Sequence, residues 1–421
     1  MSVEDYRGDV EKCCRCSACK FVPLQKVKGD KHSYVCPSIA KYNFNAYSGG
    51  GRLLTIDATL KRGLEVDDKL KEIVYNCQMC GACGVSCNYA MDMQVMEPLY
   101  EFRNKCVRDG ATHPALDKVI EGLRKTNSMV PVSGKRGDWA AGLNVKDATK
   151  EQVDVLYYVG CSTSYDRKLQ KLARATVKIL QAAGVDFGIA GNAEMCCGGR
   201  TNQMGYEDDA RKQAKKNMMF VKRAGVKTVI TSCADGYQAF KVLYDKFGMK
   251  GDLEVLHITE YIDRLLKTGQ LKLTRSVNIT VTYHDPCYLG RLGEPWQHWE
   301  GKRKAGNRFM FDPPKEYRRG EHGVYQPPRD VLANIPGVVL SEMSRIKEYA
   351  WCCGAGGGVN DSNPEFALWT GKERVDEAKS TGAEALVTAC PWCETTFKES
   401  SKANGTDLEV YDIVELVEKA L

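Results

Sequence analysis

Two stretches of the sequence, Ala224-Gly-Val-Lys-Thr-Val-Ile-Thr-Ser-Cys233 and Thr381-Gly-Ala-Glu-Ala-Leu-Val-Thr-Ala-Cys390, are near copies of each other. In each, a short run rich in β-branched residues follows a glycine and ends at a cysteine, which is typical of a buried strand that enters a loop. Nearly the same spacing relates two further pairs of segments: residues 253–262 with 408–417, and Cys196-Cys-Gly198 with Cys352-Cys-Gly354. The chain therefore contains one structural unit twice.

Each repeat alternates short β-rich runs with helical patterns. Residues 154–159 are a candidate buried strand, and Ser164 or Asp166 is the predicted N-cap of the helix that follows. A second strand is predicted over residues 226–231 and a second helix over residues 237–247. Strands that alternate with helices of this length indicate βαβ units and a mainly parallel sheet.

The region before the repeats has a helical pattern instead. Apolar positions recur with helical spacing in residues 66–75 and 96–107, and the polar, Gly- and Pro-containing stretch 125–137 is a predicted boundary. We therefore predict an α+β multidomain chain, in which a helical domain precedes two α/β, Rossmann-like domains related by pseudo-symmetry. The predicted domains are residues 1–130, 151–270 and 275–421.

The second repeat carries an insertion of about 30 residues relative to the first, roughly residues 294–328. This insertion is rich in arginine and aromatic residues, including Trp296, Trp299, Phe309 and Tyr317. Its composition fits either a solvated loop or a docking surface, because aromatic residues and arginine are enriched in the cores of interfaces.

Composition excludes several classes of protein. The chain has 421 residues, with 60 Lys and Arg against 54 Asp and Glu, so its net charge of +6 does not indicate nucleic-acid binding. No apolar run reaches the ~18–20 residues of a membrane helix, and no secretory signal is visible at the N-terminus. We therefore expect a cytoplasmic protein without an intrinsic membrane span. The 19 cysteines should then bind metal or do redox chemistry rather than form disulfides.

Two groups of cysteines in the helical region have the spacing of iron–sulfur ligands. Cys77-Gln-Met-Cys80-Gly-Ala-Cys83-Gly-Val-Ser-Cys87 matches the C-x2-C-x2-C-x3-C pattern of bacterial [4Fe–4S] sites, whose fourth cysteine binds the other cluster. We assign two cubane [4Fe–4S] clusters: one to Cys13, Cys16, Cys19 and Cys87, and the other to Cys36, Cys77, Cys80 and Cys83. Zinc sites are the alternative, although they usually show separated pairs of cysteines rather than triplets.

Two cysteines of this region are left over. Cys14 and Cys106 are predicted to be structural thiols or to support the ligands, with Cys14 a possible substitute for Cys13.

The second repeat contains five cysteines beside predicted strand ends or Gly- and Pro-rich loops: Cys287, Cys352, Cys353, Cys390 and Cys393. Strand ends of a parallel sheet line the crevice in which ligands bind. Five thiolates exceed the four of an ordinary cubane, which indicates an unusual cluster. A thioredoxin-like dithiol at Cys390-Pro-Trp-Cys393 and a phosphate loop at residues 354–358 are the alternatives to a metal site here.

This arrangement resembles the Cys-Cys-Gly domain family, which includes the catalytic subunits of heterodisulfide reductase. Ferredoxin-like clusters followed by two Cys-Cys-Gly repeats are the layout of its fused D-type subunit, so the resemblance covers nearly the whole chain. In that family a complete set of five cysteines holds a noncubane [4Fe–4S] cluster. The resemblance therefore implies one such cluster at Cys287, Cys352, Cys353, Cys390 and Cys393.

The first repeat departs from the family pattern. Cys161, Cys196, Cys197 and Cys233 are present, but Gly236 occupies the position of the last cysteine. Four thiolates fit an ordinary [4Fe–4S] cluster, a zinc ion or no metal at all. Near the second set, His284 and Asp285 either relay protons or only cap a strand end.

The patterns favour an electron-transfer subunit of an anaerobic oxidoreductase complex, which passes electrons between a flavoprotein or other redox partner and an acceptor. The chain shows no flavin or nicotinamide fingerprint, so we expect it to act in a hetero-oligomer with a flavoprotein, iron–sulfur or membrane subunit. The alternative is a catalytic subunit that cleaves a heterodisulfide at the C-terminal cluster. A metal-stabilised scaffold without turnover is the third hypothesis.

Overall fold

The computed structural model describes residues 2–29, 31–90, 93–296, 301–306, 310–313 and 320–421. It is a mixed α/β protein with two parallel sheets, preceded by a helical region, as the sequence predicts. Apolar side chains from all three parts form one continuous hydrophobic core.

The N-terminal region consists of helices that are held in place by capping residues. Ser48 accepts a hydrogen bond from the N–H of Gly51, and Asp67 accepts one from that of Leu70. The helices predicted over residues 66–75 and 96–107 are confirmed, and they extend over Asp68–Tyr75 and Met96–Arg108. The helices are α1 (Arg7–Lys12), α2 (Pro37–Tyr42), α3 (Gly49–Arg62), α4 (Asp68–Tyr75), α5 (Ala82–Ala90), α6 (Met96–Arg108) and α7 (Pro114–Thr126).

The first α/β unit is built on a five-stranded parallel sheet with the order β1-β3-β2-β4-β5. Its strands are β1 (Lys146–Asp147), β2 (Val155–Tyr158), β3 (Phe187–Ile189), β4 (Thr228–Thr231) and β5 (Glu254–His257). Its helices are α8 (Cys161–Tyr165), α9 (Gln170–Ala182), α10 (Gly199–Gln203), α11 (Glu207–Arg223), α12 (Ala234–Gln238), α13 (Tyr244–Lys246) and α14 (Ile258–Lys267).

The helix predicted after β2 is confirmed as α9, but its N-cap is Leu169 instead of Ser164 or Asp166. Two helices, α8 and α9, flank Asp166, whose backbone is extended. The Asp166 carboxylate accepts a hydrogen bond from the N–H of Lys168, and its carbonyl accepts from the N–H of Leu169. This local turn ends α8 and starts α9.

The second α/β unit contains a four-stranded parallel sheet with the order β11-β10-β6-β9, and a small antiparallel pair, β7 with β8. Its strands are β6 (Ile279–Tyr283), β7 (Lys302–Arg303), β8 (Phe311–Asp312), β9 (Val338–Leu340), β10 (Ala385–Thr388) and β11 (Glu409–Asp412). Its helices are α15 (Gln326–Ala333), α16 (Val359–Ser362), α17 (Pro364–Lys379), α18 (Pro391–Ala403) and α19 (Ile413–Ala420). The order matches β5-β4-β2-β3 of the first unit, as expected for a repeat.

Part of the predicted insertion lies outside the described residues, including Trp299, Phe309 and Tyr317. Its last described part packs on the second unit, where the N–H of Val324 donates to the carbonyl of Leu289 at 3.2 Å. The choice between a solvated loop and a docking surface stays a prediction.

The helical region packs against both α/β units through buried polar contacts. Arg103 on α6 donates to the carbonyls of Gln203 at 2.8 Å and of Gly357 at 2.7 Å, one in each unit. The hydroxyl of Tyr288 donates to the carbonyl of Met79 at 2.8 Å. Among the described residues, no helix combines the length and the apolar character that crossing a bilayer requires.

Candidate metal centres

In each sheet, two candidate ligands follow the ends of central strands and lie at the same edge of the sheet. In the first unit Cys161 follows β2 and Cys233 follows β4, and in the second unit Cys287 follows β6 and Cys390 follows β10. Because the strands are parallel, these cysteines lie at the carboxyl edge, where such sheets bind ligands. Cys233 and Cys390 are also the N-cap residues of α12 and α18.

The five cysteines of the second repeat form one connected group of buried thiols. Hydrogen bonds link them in the order Cys287, Cys352, Cys353, Cys393 and Cys390. The bonds from Cys352 and Cys393 hold the pKa of Cys353 well below its usual value. The structure thus brings together all five residues of this predicted set.

The glycine of each Cys-Cys-Gly motif meets two steric requirements. Its φ is positive, 77° at Gly198 and 104° at Gly354. An added Cβ would lie 3.0 Å from the carbonyl oxygen of Ala210 in the first unit and 2.3 Å from that of Ala367 in the second. In both repeats the glycine N–H also donates to the sulfur of the cysteine two residues earlier, at 3.4 Å. Such N–H bonds stabilise thiolate ligands.

His284 lies against the thiols of the second set. Its imidazole nitrogen and the sulfurs of Cys353 and Cys393 lie within 4.8 Å of one another. The Nε of Arg374 donates to Nδ1 of His284 at 3.2 Å, which leaves the imidazole proton on Nε2. Burial lowers the pKa of His284, which favours the neutral ring. The imidazole is therefore oriented as a hydrogen-bond donor beside the sulfurs.

Asp285, in contrast, has structural partners. Its carboxylate forms a buried ion pair with Arg329 at 2.7 Å and accepts the N–H of Lys347 at 2.7 Å. These contacts favour a structural role for Asp285 over a role in proton relay.

The four cysteines of the first repeat line one cavity, but they are less connected than the second set. Cys161 is hydrogen-bonded to Cys196, whereas Cys233 is bonded to Cys390 of the other unit. At Gly236, where a fifth cysteine would stand, an added Cβ would lie 3.0 Å from the hydroxyl of Thr231. A larger residue there would require Thr231 to move.

A second cavity is lined by cysteines of the second repeat. Three residues line both this cavity and that of the first repeat, and so lie between the two sets: Arg200, Asp235 and Trp392. The guanidinium of Arg200 stacks on Trp392 at 3.9 Å and donates to the carbonyl of Ala355 at 2.9 Å. Its Nε is buried without a hydrogen-bond partner in the described part of the chain. Burial raises the pKa of Asp235 to about 7.

In the helical region, Cys36, Cys77, Cys80 and Cys83 lie close enough to interact electrostatically. Burial raises the pKa of Cys36 to about 12. The loop that carries the other three turns at Gly81, where φ is 79°, and an added Cβ there would lie 2.6 Å from a side-chain carbon of Leu292 in the second unit.

This set touches the set of the second unit. A hydrogen bond joins the thiols of Cys80 and Cys352, and it lowers the pKa of Cys80 to about 6. Nothing in the local sequence indicates this contact, because the two residues are far apart in the chain.

Cys13, Cys16, Cys19 and Cys87 line a single open cavity, and Cys14 lines it as well. The loop folds around this cavity through left-handed backbone at Arg15 and Ser17, with φ of 59° and 69°. The structure thus groups the eight N-terminal cysteines into the two predicted sets.

The first turn of α3 separates these two sets. A Cβ added at Gly49 would lie 2.8 Å from Cβ of Cys83, and one added at Gly50 would lie 3.4 Å from the sulfur of Cys13. The N–H of Gly50 donates to the sulfur of Cys19 at 3.4 Å. The N-terminus of a 14-residue helix therefore faces the thiols, and its partial positive charge favours anionic groups there.

Three buried arginines around Cys36, Cys77 and Cys80 indicate an anionic occupant. Arg52 is 4% exposed, and Arg103 and Arg291 are each 1% exposed. Within the described residues none of the three forms an ion pair with a carboxylate. Arg291 is hydrogen-bonded to the sulfur of Cys80. The other partners are backbone carbonyls and one hydroxyl: those of Tyr47, Ile73, Asn76, Ser38, Val74, Tyr75, Cys77, Gln203, Gly357, Cys80, Glu348 and Ala350.

Other buried arginines of the chain have carboxylate partners. Arg136 pairs with Glu194, and Arg345 and Arg374 pair with Glu377. Buried charges without a counterion are costly, so the unpaired arginines fit a site in which thiolates and a metal cluster supply negative charge.

The two remaining cysteines differ in environment. Cys14 is exposed at the rim of the first cavity, and Cys106 is fully buried in α6. The sequence analysis did not identify the three buried arginines as part of the site. Arg103 nevertheless stands four residues after Leu99 and three before Cys106, on the apolar side of α6. A charged residue in an apolar helical stripe was the available signal.

Comparisons with known proteins identify iron–sulfur and cysteine-rich domains in this chain. A 4Fe-4S dicluster domain matches residues 9–91, and a cysteine-rich domain matches residues 155–240 and 311–398. The chain is 30% identical to the D-type subunit of the dihydromethanophenazine:CoB–CoM heterodisulfide reductase of Methanosarcina barkeri, over 98% of this chain and 94% of that protein. These matches confirm the resemblance found in the sequence.

Two further relatives are longer than this chain. A probable iron-sulfur-binding oxidoreductase, FadF, of Bacillus subtilis is 34% identical over 83% of this chain and 47% of its own length. An EtfAB:quinone oxidoreductase of Syntrophomonas wolfei is 28% identical over 100% of this chain and 60% of its own length. A hypothetical protein from Helicobacter pylori has a similar fold, with a TM-score of 0.55 at 12% identity over 89% of this chain and 68% of that one.

Proposed function

Because this chain belongs to the family of D-type heterodisulfide reductase subunits, we propose that it is an iron–sulfur subunit of a redox complex and relays electrons between a partner subunit and an acceptor. The observation that supports this role is a continuous series of cysteine sets, which runs from the exposed loop at Cys16 to the buried edges of both sheets.

The proposed ligands follow the groups of thiols. Two cubane [4Fe–4S] clusters are assigned to Cys13, Cys16, Cys19 and Cys87, and to Cys36, Cys77, Cys80 and Cys83. A noncubane [4Fe–4S] cluster is assigned to Cys287, Cys352, Cys353, Cys390 and Cys393. The set Cys161, Cys196, Cys197 and Cys233 is assigned a further [4Fe–4S] cluster or a zinc ion. When bound, such clusters supply one-electron carriers.

The contacts between neighbouring sets support a relay. The first turn of α3 separates the set that contains Cys13 from the set that contains Cys80. Cys80 in turn is hydrogen-bonded to Cys352 of the second repeat. Cys390 meets Cys233 at the junction with the first repeat. The protein thus holds successive sulfur groups in contact or one helical turn apart, and its burial of the inner sets excludes water from them.

The partners of such a relay are other subunits. One relative is named as a subunit of heterodisulfide reductase and another as an EtfAB:quinone oxidoreductase. We therefore propose a hetero-oligomer with a flavoprotein, iron–sulfur or membrane subunit in an anaerobic cytoplasm, without a role in nucleic-acid binding.

The second candidate function is reduction of a heterodisulfide at the C-terminal set. The crevice between the two sheets favours it, because Arg200, Asp235 and Trp392 line both cavities there. The reaction consumes two electrons and two protons per disulfide and yields two thiols, with the electrons supplied by the redox partner. The absence of a fifth cysteine at Gly236 weighs against it.

Electron paramagnetic resonance (EPR) spectra of the anaerobically purified chain separate these functions. A relay predicts cluster signals that do not change when an oxidised heterodisulfide is added, whereas catalysis predicts a new signal that depends on the substrate. In the same experiment the Cys393→Ser variant should change the C-terminal signal, and the control variant Cys106→Ala, at a buried cysteine of α6 outside the four sets, should leave all signals unchanged. If Cys393→Ser also left every signal unchanged, the C-terminal assignment would be wrong.

A further inference from the structure

The loop that carries the first cysteine set is where the candidate ligands come closest to solvent. Cys16 is exposed and Cys13 and Cys19 are half-buried, whereas all nine cysteines of the two α/β units are buried. Electron exchange with another protein requires close approach of the two carriers. The surface around this loop is therefore suited to receive the partner.

The loop around this opening is strongly basic in sequence, and one carboxylate, that of Glu321, lies near Lys26. Residues 12–31 contain six basic residues and one acidic residue, Asp30. Arg15 and Lys20 line the mouth of the cavity, and Lys26, Lys28 and Lys31 are exposed on the loop that follows. In the part of the chain that the structure describes, none of these basic residues forms an ion pair; the six are Lys12, Arg15, Lys20, Lys26, Lys28 and Lys31.

Apolar side chains are interspersed with the charges. Leu24 is 91% exposed, and Phe21 and Tyr34, whose rings lie 5.0 Å apart, are 38% and 36% exposed. The base of the loop is fixed, because the N–H of Val22 donates to the carbonyl of Ser33 at 2.8 Å. The hydroxyl of Ser86 on α5 donates to the carbonyl of Phe21 at 3.3 Å, which ties the loop to the helix that carries Cys83 and Cys87.

We propose that an acidic one-electron carrier protein docks on this basic surface, defined as Lys12, Arg15, Lys20, Lys26, Lys28 and Lys31 with Phe21, Leu24 and Tyr34. The proposal rests on the relay function proposed above and names the chemistry of the partner. Unpaired positive charges steer an oppositely charged protein to this face, and the exposed apolar groups supply the short-range contact. Small interfaces of this kind suit weak, transient electron-transfer encounters.

An anionic membrane is the other surface that basic and apolar groups could meet. The observations favour a protein, because these groups surround the opening of a thiol-lined cavity and lie on a short loop instead of on one face of an amphipathic helix.

The test measures reduction of the anaerobic holoprotein by a pre-reduced, acidic plant-type [2Fe–2S] ferredoxin in a stopped-flow spectrometer. The variant Lys26→Glu/Lys28→Glu/Lys31→Glu changes charge away from the cavity, and Lys215→Glu/Lys222→Glu/Arg223→Glu is the matched control on α11. We expect the second-order rate constant to fall about tenfold in the first variant and less than about twofold in the control at low salt. The wild-type rate should also fall steeply between about 20 and 300 mM salt.

Dithionite is the reference reductant, since it is small and requires no docking surface. It should reduce wild type and both variants to the same extent. Equal losses in the two variants, or a rate that does not depend on salt, would overturn the docking proposal while the relay function stands. Sedimentation of the wild type with phosphatidylserine vesicles, together with unchanged ferredoxin kinetics in the first variant, would assign the surface to a membrane instead. A wild type without any iron–sulfur signal that dithionite reduces would refute the relay function and the docking proposal with it.

Discussion

Replacement of Arg291 should lower the reduction potential of the clusters proposed beside it. The guanidinium is 1% exposed, and it donates to the carbonyls of Cys80 and Ala350 at 2.6 Å and of Glu348 at 2.9 Å. The nearby thiolates of Cys80, Cys287 and Cys352 raise the pKa of Arg291 despite its burial. The positive charge of Arg291 should therefore stabilise an electron that is added to a neighbouring cluster.

The size of the effect follows from Coulomb's law. A unit positive charge at ~6 Å from an added electron, with an effective dielectric constant of ~20, stabilises the reduced state by about 3 kcal/mol. Since about 1.4 kcal/mol corresponds to about 59 mV for one electron, Arg291→Met should lower the potential by roughly 100 mV. Arg291→Lys retains the charge and should shift the potential by less than a third of that amount.

The assay is a redox titration followed by EPR, on samples with full iron content. Arg291→Met also leaves three buried carbonyls without a donor, at a cost of about 1–3 kcal/mol each, so its melting temperature should fall. Arg291→Gln, which keeps a donor without the charge, separates the two effects. A potential within about 30 mV of wild type in Arg291→Met, or equal shifts in the methionine and lysine variants, would refute the argument.

Gly49→Ala should displace Cys83 and remove about four iron atoms per chain in metal analysis, because the added Cβ would lie 2.8 Å from Cβ of Cys83. The control is Gly122→Ala, whose added Cβ meets no atom within 4 Å; it should retain its iron and gain about 0.5–1 kcal/mol of stability. A full iron content in Gly49→Ala would contradict this prediction. His257→Asn should make the chain less sensitive to acid. Burial lowers the pKa of His257 to about 4, so its contribution is present above pH 6.5 and is lost as the pH falls towards 4, by about 3 kcal/mol in total. Because asparagine can also accept the N–H of Thr259, urea unfolding of His257→Asn should show a smaller loss over that pH range, and an unchanged loss would argue against the assignment.

Local patterns were sufficient to predict the repeated α/β architecture. The strand predicted over residues 226–231 is observed as β4, and its copy is observed as β10, at equivalent places in two parallel sheets. These segments are buried on both faces, so composition and spacing alone identify them. The start of α9 was placed too early, because Asp166 is a residue type typical of an N-cap, whereas its side chain closes a local turn ahead of the helix.

The candidate sites were predictable as sets but not in their relation to one another. Cysteine spacing groups Cys77, Cys80 and Cys83, but the contact between Cys80 and Cys352 depends on how the helical region packs on the second sheet. The glycines of residues 354–358 illustrate the same limit. Three of them approach the helical region, and an added Cβ at Gly356, for example, would lie 2.3 Å from the carbonyl oxygen of Gln78. Tertiary packing of this kind leaves no periodic trace in the sequence.

Iron and acid-labile sulfide analysis of the anaerobically purified chain tests the central claim most directly. Three clusters predict about twelve iron atoms per chain with an equal amount of sulfide, and a fourth cluster in the first repeat raises both to about sixteen. Zinc without sulfide, or a folded chain that takes up no metal on anaerobic reconstitution, would contradict the account.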